Sequence, residues 1–366
     1  MSKILLIIAP LILALGCQSV SKPKAPIRLE RSWVRDTKAR SYYGFHLFHK
    51  MKPIVVNNTI IAANSIDSIV AFDKKTGQMI WSKKIKGGVE GGAAVYNDLV
   101  YFGAGDGYFY ALDIETGAPK WKFPIRFEGL AAPTAHDGTV FVLAGNNVFY
   151  ALDAQTGQQK WLYSRPKTKA LSIRGGSQPT IDGGVVYVGF SDGILAALNS
   201  FTGQVKWEKR LSNHKKFTDV DARPVVYNGK IYISSYDENL FCLSADTGNT
   251  IWKLESGANT APQLVSGVLY LSTSNGKIIA VDSAVGKVKW EINLKNGLAT
   301  EPQIYGQYLI YGESEGSLGI IEKSSGEFVT SYDTGWGISS SVTIEDEHLF
   351  TMSRDGNLWV FEVKGI

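Results

Sequence analysis

The sequence repeats itself. Tyr110-Ala111-Leu112-Asp113-Ile114-Glu115-Thr116-Gly117-Ala118-Pro119-Lys120-Trp121 returns as Tyr150-Ala151-Leu152-Asp153-Ala154-Gln155-Thr156-Gly157-Gln158-Gln159-Lys160-Trp161, and related copies end at Trp81, Trp207, Trp252 and Trp290. In every copy a glycine stands four residues before the tryptophan. Each copy reads as a hairpin: a strand ending at Leu-Asp, a turn, then a strand carrying the Trp. At the turn the Asp carboxylate accepts from backbone amides and the glycine takes a positive φ without steric cost. The indole then has a large apolar face to bury between neighbouring hairpins. Metal binding by Asp73, Asp113, Asp153 and Asp282 fails on number, because one carboxylate per turn is too few ligands.

A second pair of apolar runs precedes each hairpin. Pro133 to Phe141, Pro179 to Tyr187, Pro224 to Tyr232, Pro262 to Tyr270 and Pro302 to Ile310 share a spacing of eight, and Pro53, Ala93 and Val342 open the same frame. Runs such as Val185-Val186-Tyr187-Val188 favour strands bounded by turns, and 38 glycines supply the turns. A unit near forty residues with four short strands is the signature of a propeller blade. Eight units use the chain from 31 to 366, which predicts an all-β, eight-bladed β-propeller of four-stranded antiparallel blades in a single domain. The seventh unit has lost its Trp and the eighth is one strand short. Arg31 to Arg35, with Trp33, is expected to supply the missing outer strand and close the ring, leaving no long sheet edge.

Residues 1–16 carry one positive residue, Lys3, and an apolar run from Ile4 to Leu15, too short to span a bilayer comfortably. This is expected to be a signal peptide. Leu13-Ala14-Leu15-Gly16-Cys17 resembles a bacterial lipobox, which implies lipidation of Cys17, and Gln18 in place of Asp implies the outer rather than the inner membrane. Residues 17–30, with Lys22-Pro23-Lys24-Ala25-Pro26, read as the lipidated Cys and a flexible tether. Cys242 is then the only thiol left. Its place in Leu240-Phe241-Cys242-Leu243 predicts a buried, inert core cysteine and no intrachain disulfide.

Two connections break the even spacing. Trp81 to Ala93, Trp121 to Pro133 and Trp290 to Pro302 each span twelve positions, whereas Trp161 to Pro179 spans eighteen and Trp207 to Pro224 seventeen. Both run from an outer strand to the next inner strand, so they must emerge side by side on one face of the disc. Insertions in repeat proteins collect on the binding face. The first carries the apolar Leu171 and Ile173 beside Arg174; the second carries Asn213-His214-Lys215-Lys216 and then Asp219 and Asp221. Leu171 and Ile173 can enter a partner's groove, at about 1.5 to 3 kcal/mol each when fully covered, or belong to the start of the inner strand and face the core. Arg174 can pair across an interface or with Asp219 or Asp221. Spacing alone leaves both placements open.

The Ala-Leu-Asp-x-x-Thr-Gly-x-x-x-Trp hairpins resemble the quinoprotein-type propeller repeat. Leu171-Ser172-Ile173-Arg174-Gly175-Gly176-Ser177-Gln178-Pro179 followed by Asp219-Val220-Asp221-Ala222-Arg223-Pro224 is similar to the BamB family, lipoproteins of the β-barrel assembly machinery of the bacterial outer membrane. The resemblance runs from the lipobox through all eight blades. It implies a non-catalytic role on the periplasmic face of that membrane: binding the periplasmic domains of the central barrel-forming subunit, BamA, and assisting insertion of barrel proteins, with unfolded clients as further partners. Carried over by position, the partner contacts fall on Leu171, Ile173, Arg174, Asp219 and Asp221.

Larger propellers with this hairpin bind pyrroloquinoline quinone (PQQ) and oxidise alcohols or sugars, which makes an enzyme the chief rival. Such sites use a channel metal and typically a vicinal disulfide. This chain has no Cys-Cys pair, and His46, His49, His136, His214 and His348 show no metal-ligand spacing. Catalytic residues, cofactor and metal are therefore expected to be none. A formal net charge of +4, without a basic block, argues against nucleic acid. The remaining rival is another periplasmic partner or a glycan, for which Tyr42, Tyr43, Phe45 and Trp336 are the candidate aromatics.

Overall fold

The computed structural model describes residues 26–38, 49–166, 175–212, 217–236 and 239–365. These residues form eight four-stranded antiparallel sheets, and no helix among them is long and apolar enough to cross a membrane. The innermost strands, in blade order, are Ile54–Val56, Ala93–Tyr96, Thr134–His136, Thr180–Asp182, Val225–Tyr227, Gln263–Val265, Gln303–Tyr305 and Thr343–Glu345. In blades one to seven the four strands follow one another in chain order. In blade eight the order is broken: the outermost strand is Ile27–Asp36, paired with Asn357–Gly365. The N-terminal strand thus closes the ring as expected. It begins earlier than expected, because Ile27 to Glu30, assigned above to the tether, pair with Gly365 to Glu362, and Ile27 is 2% exposed in the core between blades seven and eight.

The second and third strands of each blade are buried on both faces, since each sheet is covered by its two neighbours. That is why they read as unbroken apolar runs, such as Thr139–Ala144, rather than as alternating ones. Outer strands alternate and keep one face in solvent, as in Gln159–Ser164.

The repeated tryptophan joins one blade to the next. Each indole lies over the turn glycine of the following blade: a Cβ on Gly117 would fall 2.6 Å from Trp81, and one on Gly157 2.6 Å from Trp121. The ring nitrogen donates to the carbonyl that follows the turn residue, Trp81 to Ile114 at 2.9 Å, Trp161 to Ser200 at 3.1 Å and Trp290 to Lys323 at 3.2 Å. Glycine is therefore required twice over, by its φ of +68° at Gly117 and by the ring above it. A bulge beside each Trp, as between Ala151 and Leu152, adds local twist and turns the strand toward its neighbour. The Asp residues act as expected: Asp113 Oδ1 accepts from the Thr116 amide at 3.0 Å and its hydroxyl at 2.8 Å, and these bonds, the hydroxyl foremost, pull the carboxyl below its usual range.

Blade eight also explains the missing tryptophan. Trp33, on the closing strand, stacks on Gly77 of blade one and donates to Lys74 O at 3.2 Å, so it fills the Trp position of the last blade. Blade seven carries Thr330 there. Its neighbour, blade eight, has no turn between third and outer strand, because those strands come from opposite ends of the chain. An indole at position 330 would have no glycine turn to dock on.

Candidate functional site

The two wide connections leave blades three and four as Gln159–Ser164 and Val205–Arg210 end. Leu171, Ile173 and Arg174, together with His214, Lys215 and Lys216, lie outside the described residues, as does Cys17. What is described is how both connections are anchored.

The first is pinned at its root. Arg165 Nε meets Asp192 Oδ2 at 2.8 Å, its NH1 meets Glu208 Oε1 at 2.8 Å, and its guanidinium lies 5.9 Å from the centre of the Phe190 ring. Burial works against that charge, but the bonds to Tyr163 and the two carboxylates outweigh it and hold the proton more firmly than usual. The connection returns through Gly175, Gly176 and Ser177 into the fourth blade.

The second connection is embedded rather than draped. Thr218 Oγ1 donates to Ser191 O at 2.6 Å, and Val220 and Ala222 are fully buried in the core between blades four and five. Gly189 makes room for it, since a Cβ there would fall 2.1 Å from Val220 O. Asp219 is only 1% exposed, and its carbonyl accepts from the Tyr236 amide at 3.1 Å. Asp219 is therefore an interior residue.

The two connections touch. Ser177 Oγ donates to Ala222 O at 2.9 Å, and the Asp221 carboxyl packs against Gly175, where a Cβ would fall 2.2 Å from Oδ2. That oxygen is shut off from solvent and has no hydrogen-bond partner among the described residues. Burial, then the neighbouring Asp219, pushes the Asp221 carboxyl up to about 8, with Lys50 opposing. Sequence reasoning named Asp219 and Asp221 as site residues but not Gly175 and Ser177, which carry the joint, nor Arg165, which pins the first connection at its root. The signal available for two of them was the small-residue run Gly175-Gly176-Ser177, which permits close approach.

Around the axis, where the inner strands begin, charged and amide groups bind one another across the ring. Arg223 NH2 lies 3.4 Å from Glu301 Oε1, Gln263 bonds the same oxygen, and Lys52 Nζ donates to Gln303 Oε1 at 2.9 Å. Burial deep in the ring, offset in part by Glu301 and reinforced by Arg223, lowers the Lys52 ammonium from its ordinary value. Quinone dehydrogenases place a metal and its cofactor at such a position. Here, among the described residues, no three His, Cys, Asp or Glu side chains converge as a metal site, and the axial polar groups are engaged with each other. The donor set does not fit a metal-bound quinone. His49 is equally structural: it is 2% exposed, accepts from the Ser65 amide at 3.1 Å, and burial lowers its pKa to about 4.

Fold and site together define a Trp-docked, eight-bladed propeller of the quinoprotein type, in which the wide connections that follow blades three and four are joined on one face. The sequence profile described as "Outer membrane protein assembly factor BamB" matches residues 66–292. A protein of that name from Kangiella koreensis is 34% identical over 295 residues, covering 78% of this chain and 76% of its own. The chain belongs to the BamB family. Other curated relatives of the same name match over 75 residues, 19% of their own length. In three dimensions the chain resembles BamB from Moraxella catarrhalis, with a TM-score of 0.79 and 22% identity over 92% of this chain and 100% of that one. It also resembles quinohemoprotein alcohol dehydrogenase from Comamonas testosteroni, with a TM-score of 0.71 and 16% identity over 91% of this chain and 76% of that one. Both likenesses are of fold.

Proposed function

We propose that the protein is a non-catalytic interaction lipoprotein of the outer-membrane barrel-assembly machinery. It is anchored through Cys17 at the periplasmic face of the outer membrane, binds the periplasmic domains of the central BamA-like subunit, and assists insertion of β-barrel clients. The observation that carries this reading is the joint between the two wide connections, Ser177 to Ala222 and Asp221 against Gly175. A joint of this kind presents both connections as one surface, and pre-ordering a surface lowers the entropic cost of binding.

Within that surface Leu171, Ile173 and Arg174 are the contact residues, and Asp219 and Asp221 are positioning residues. The burial of Asp219 and the solvent-shielded Oδ2 of Asp221 favour this division, because carboxylate oxygens turned inward have little surface to offer a partner. Truncating central contacts of a small interface typically removes most of its affinity.

The test is binding of the full chain, in detergent, to the purified periplasmic domains of the BamA-like subunit. Arg174→Glu and Leu171→Asp are expected to abolish binding while leaving the thermal unfolding midpoint unchanged. Intact binding by both variants rules out the two-loop surface. Tight retention of added pyrroloquinoline quinone with Ca²⁺, with a bound chromophore, favours the dehydrogenase reading instead.

A further inference from the structure

The face that carries the wide connections bears a second feature on the far side of the ring, where blades six, seven and eight meet. A cleft of about 430 Å³ opens there, lined by Asn296, Glu315, Ser317, Asp333, Trp336 and Arg354 with three glycines between them. Trp336 is 57% exposed.

The walls are built, not incidental. The turn before Asn296 and the turn at Ser314 are stitched by Ser314 N to Leu298 O at 2.9 Å and Glu315 N to Asn296 O at 3.1 Å. Arg354 NH1 donates to Ser314 O at 3.1 Å, and Arg354 N to Gly337 O at 3.1 Å. Trp336 itself is held between Gly335 at φ +85° and Gly337 at φ +74°, and a Cβ on Gly337 would fall 2.2 Å from Ser314 O. Asp333 Oδ1 accepts from the Gly335 amide at 2.8 Å, which fixes the start of the Trp loop.

We propose that this cleft binds an uncharged oligosaccharide, with one pyranose ring stacked on Trp336 and its hydroxyls bonded by Asp333, Glu315 and Asn296. The lining decides the class. An apolar small ligand needs a mostly hydrophobic pocket, and a protein hot spot surrounds its aromatic anchor with further apolar contacts. Here one indole stands among carboxylate, amide, hydroxyl and guanidinium groups, with no aliphatic side chain in the lining. A sugar ring presents a C–H face to the indole and a polar edge to such groups. Two carboxylates against one guanidinium disfavour an acidic glycan.

The experiment is saturation-transfer NMR on the full chain in detergent with chitotetraose, and with a hyaluronan tetrasaccharide as the acidic counterpart. Transfer to the chitotetraose ring protons is expected, at least tenfold weaker in Trp336→Ala, weakened in Glu315→Gln, and absent for the acidic sugar. Because Trp336 is exposed, both variants are expected to keep the parent's unfolding midpoint. Arg174→Glu is expected to bind the sugar normally, which separates this proposal from the partner-binding one. No transfer in the parent, or equal transfer in Trp336→Ala, overturns it. So does loss of binding to the BamA-like periplasmic domains in Trp336→Ala without any sugar signal, which makes the cleft a protein contact.

Discussion

Oδ2 of Asp221 occupies the space that a side chain on Gly175 would need, 2.2 Å from the position of its Cβ. One residue comes from each wide connection, so the contact couples them directly. Gly175→Ala is expected to drive the carboxyl out of its place and destabilise the protein by about 1 to 3 kcal/mol, the usual range for overpacking. Calorimetric unfolding measures that loss, and binding to the BamA-like domains is expected to weaken more than stability does. A variant as stable as the parent means the two connections are not packed together.

Asp221 also makes stability depend on pH. Its folded pKa, near 8, lies above the reference value of 3.8, so the folded state holds the proton more tightly than the unfolded one. The stabilisation is complete below pH 3.8 and is lost as pH rises through 8. Asp221→Asn keeps the neutral shape and cannot ionise. Its midpoint relative to the parent is expected to climb from about pH 4 to about pH 8 and then level off, and a difference independent of pH counts against a buried carboxyl.

Ring closure rests on Trp33. Trp33→Ala removes the indole over Gly77 and the bond to Lys74, at an expected cost of about 3 to 5 kcal/mol. Hydrogen exchange is expected to accelerate first in Ile27–Asp36 and Asn357–Gly365. Restoring the repeat at the neighbouring blade with Thr330→Trp is expected to add no stability, because no turn exists in blade eight to receive the ring. A rise in the midpoint of that variant contradicts the docking account.

Cys242 is fully buried and its thiol is pushed above the ordinary value by burial, with Lys230 opposing. It is expected to resist a thiol-specific disulfide reagent in the native protein and to react at once in denaturant. With Cys17 acylated, denatured protein yields one reactive thiol per chain; two mean that the anchor is absent.

The repeat was legible because blade formation is local. A period of strand, turn and Trp sets antiparallel neighbours within about forty residues, and the count of periods sets the number of blades. Trp33 could be paired with the open eighth blade for the same reason: one strand was missing and one was spare. The extent of that strand was not legible. Ile27 to Glu30 follow a Pro-containing, polar segment and look like its continuation, and only the partner Val363 and the apolar space between blades seven and eight draw them into the sheet.

The site divides in the same way. Asp219 and Asp221 stood out because they interrupt an even spacing, yet nothing in the spacing distinguishes an interior carboxylate from a contact residue. That distinction depends on Gly175, more than forty positions earlier, and on the core between blades four and five. Trp336 was visible as an aromatic in a connection, but its cleft is made by four separate segments of the chain, two inter-blade connections and the turns of blades seven and eight. By itself, then, the sequence determined the blades, their number and the way the ring closes, since these follow from short-range pairing repeated eight times. The tertiary structure alone decided which side chains meet across blades, because those encounters depend on the curvature of the closed ring and not on distance along the chain.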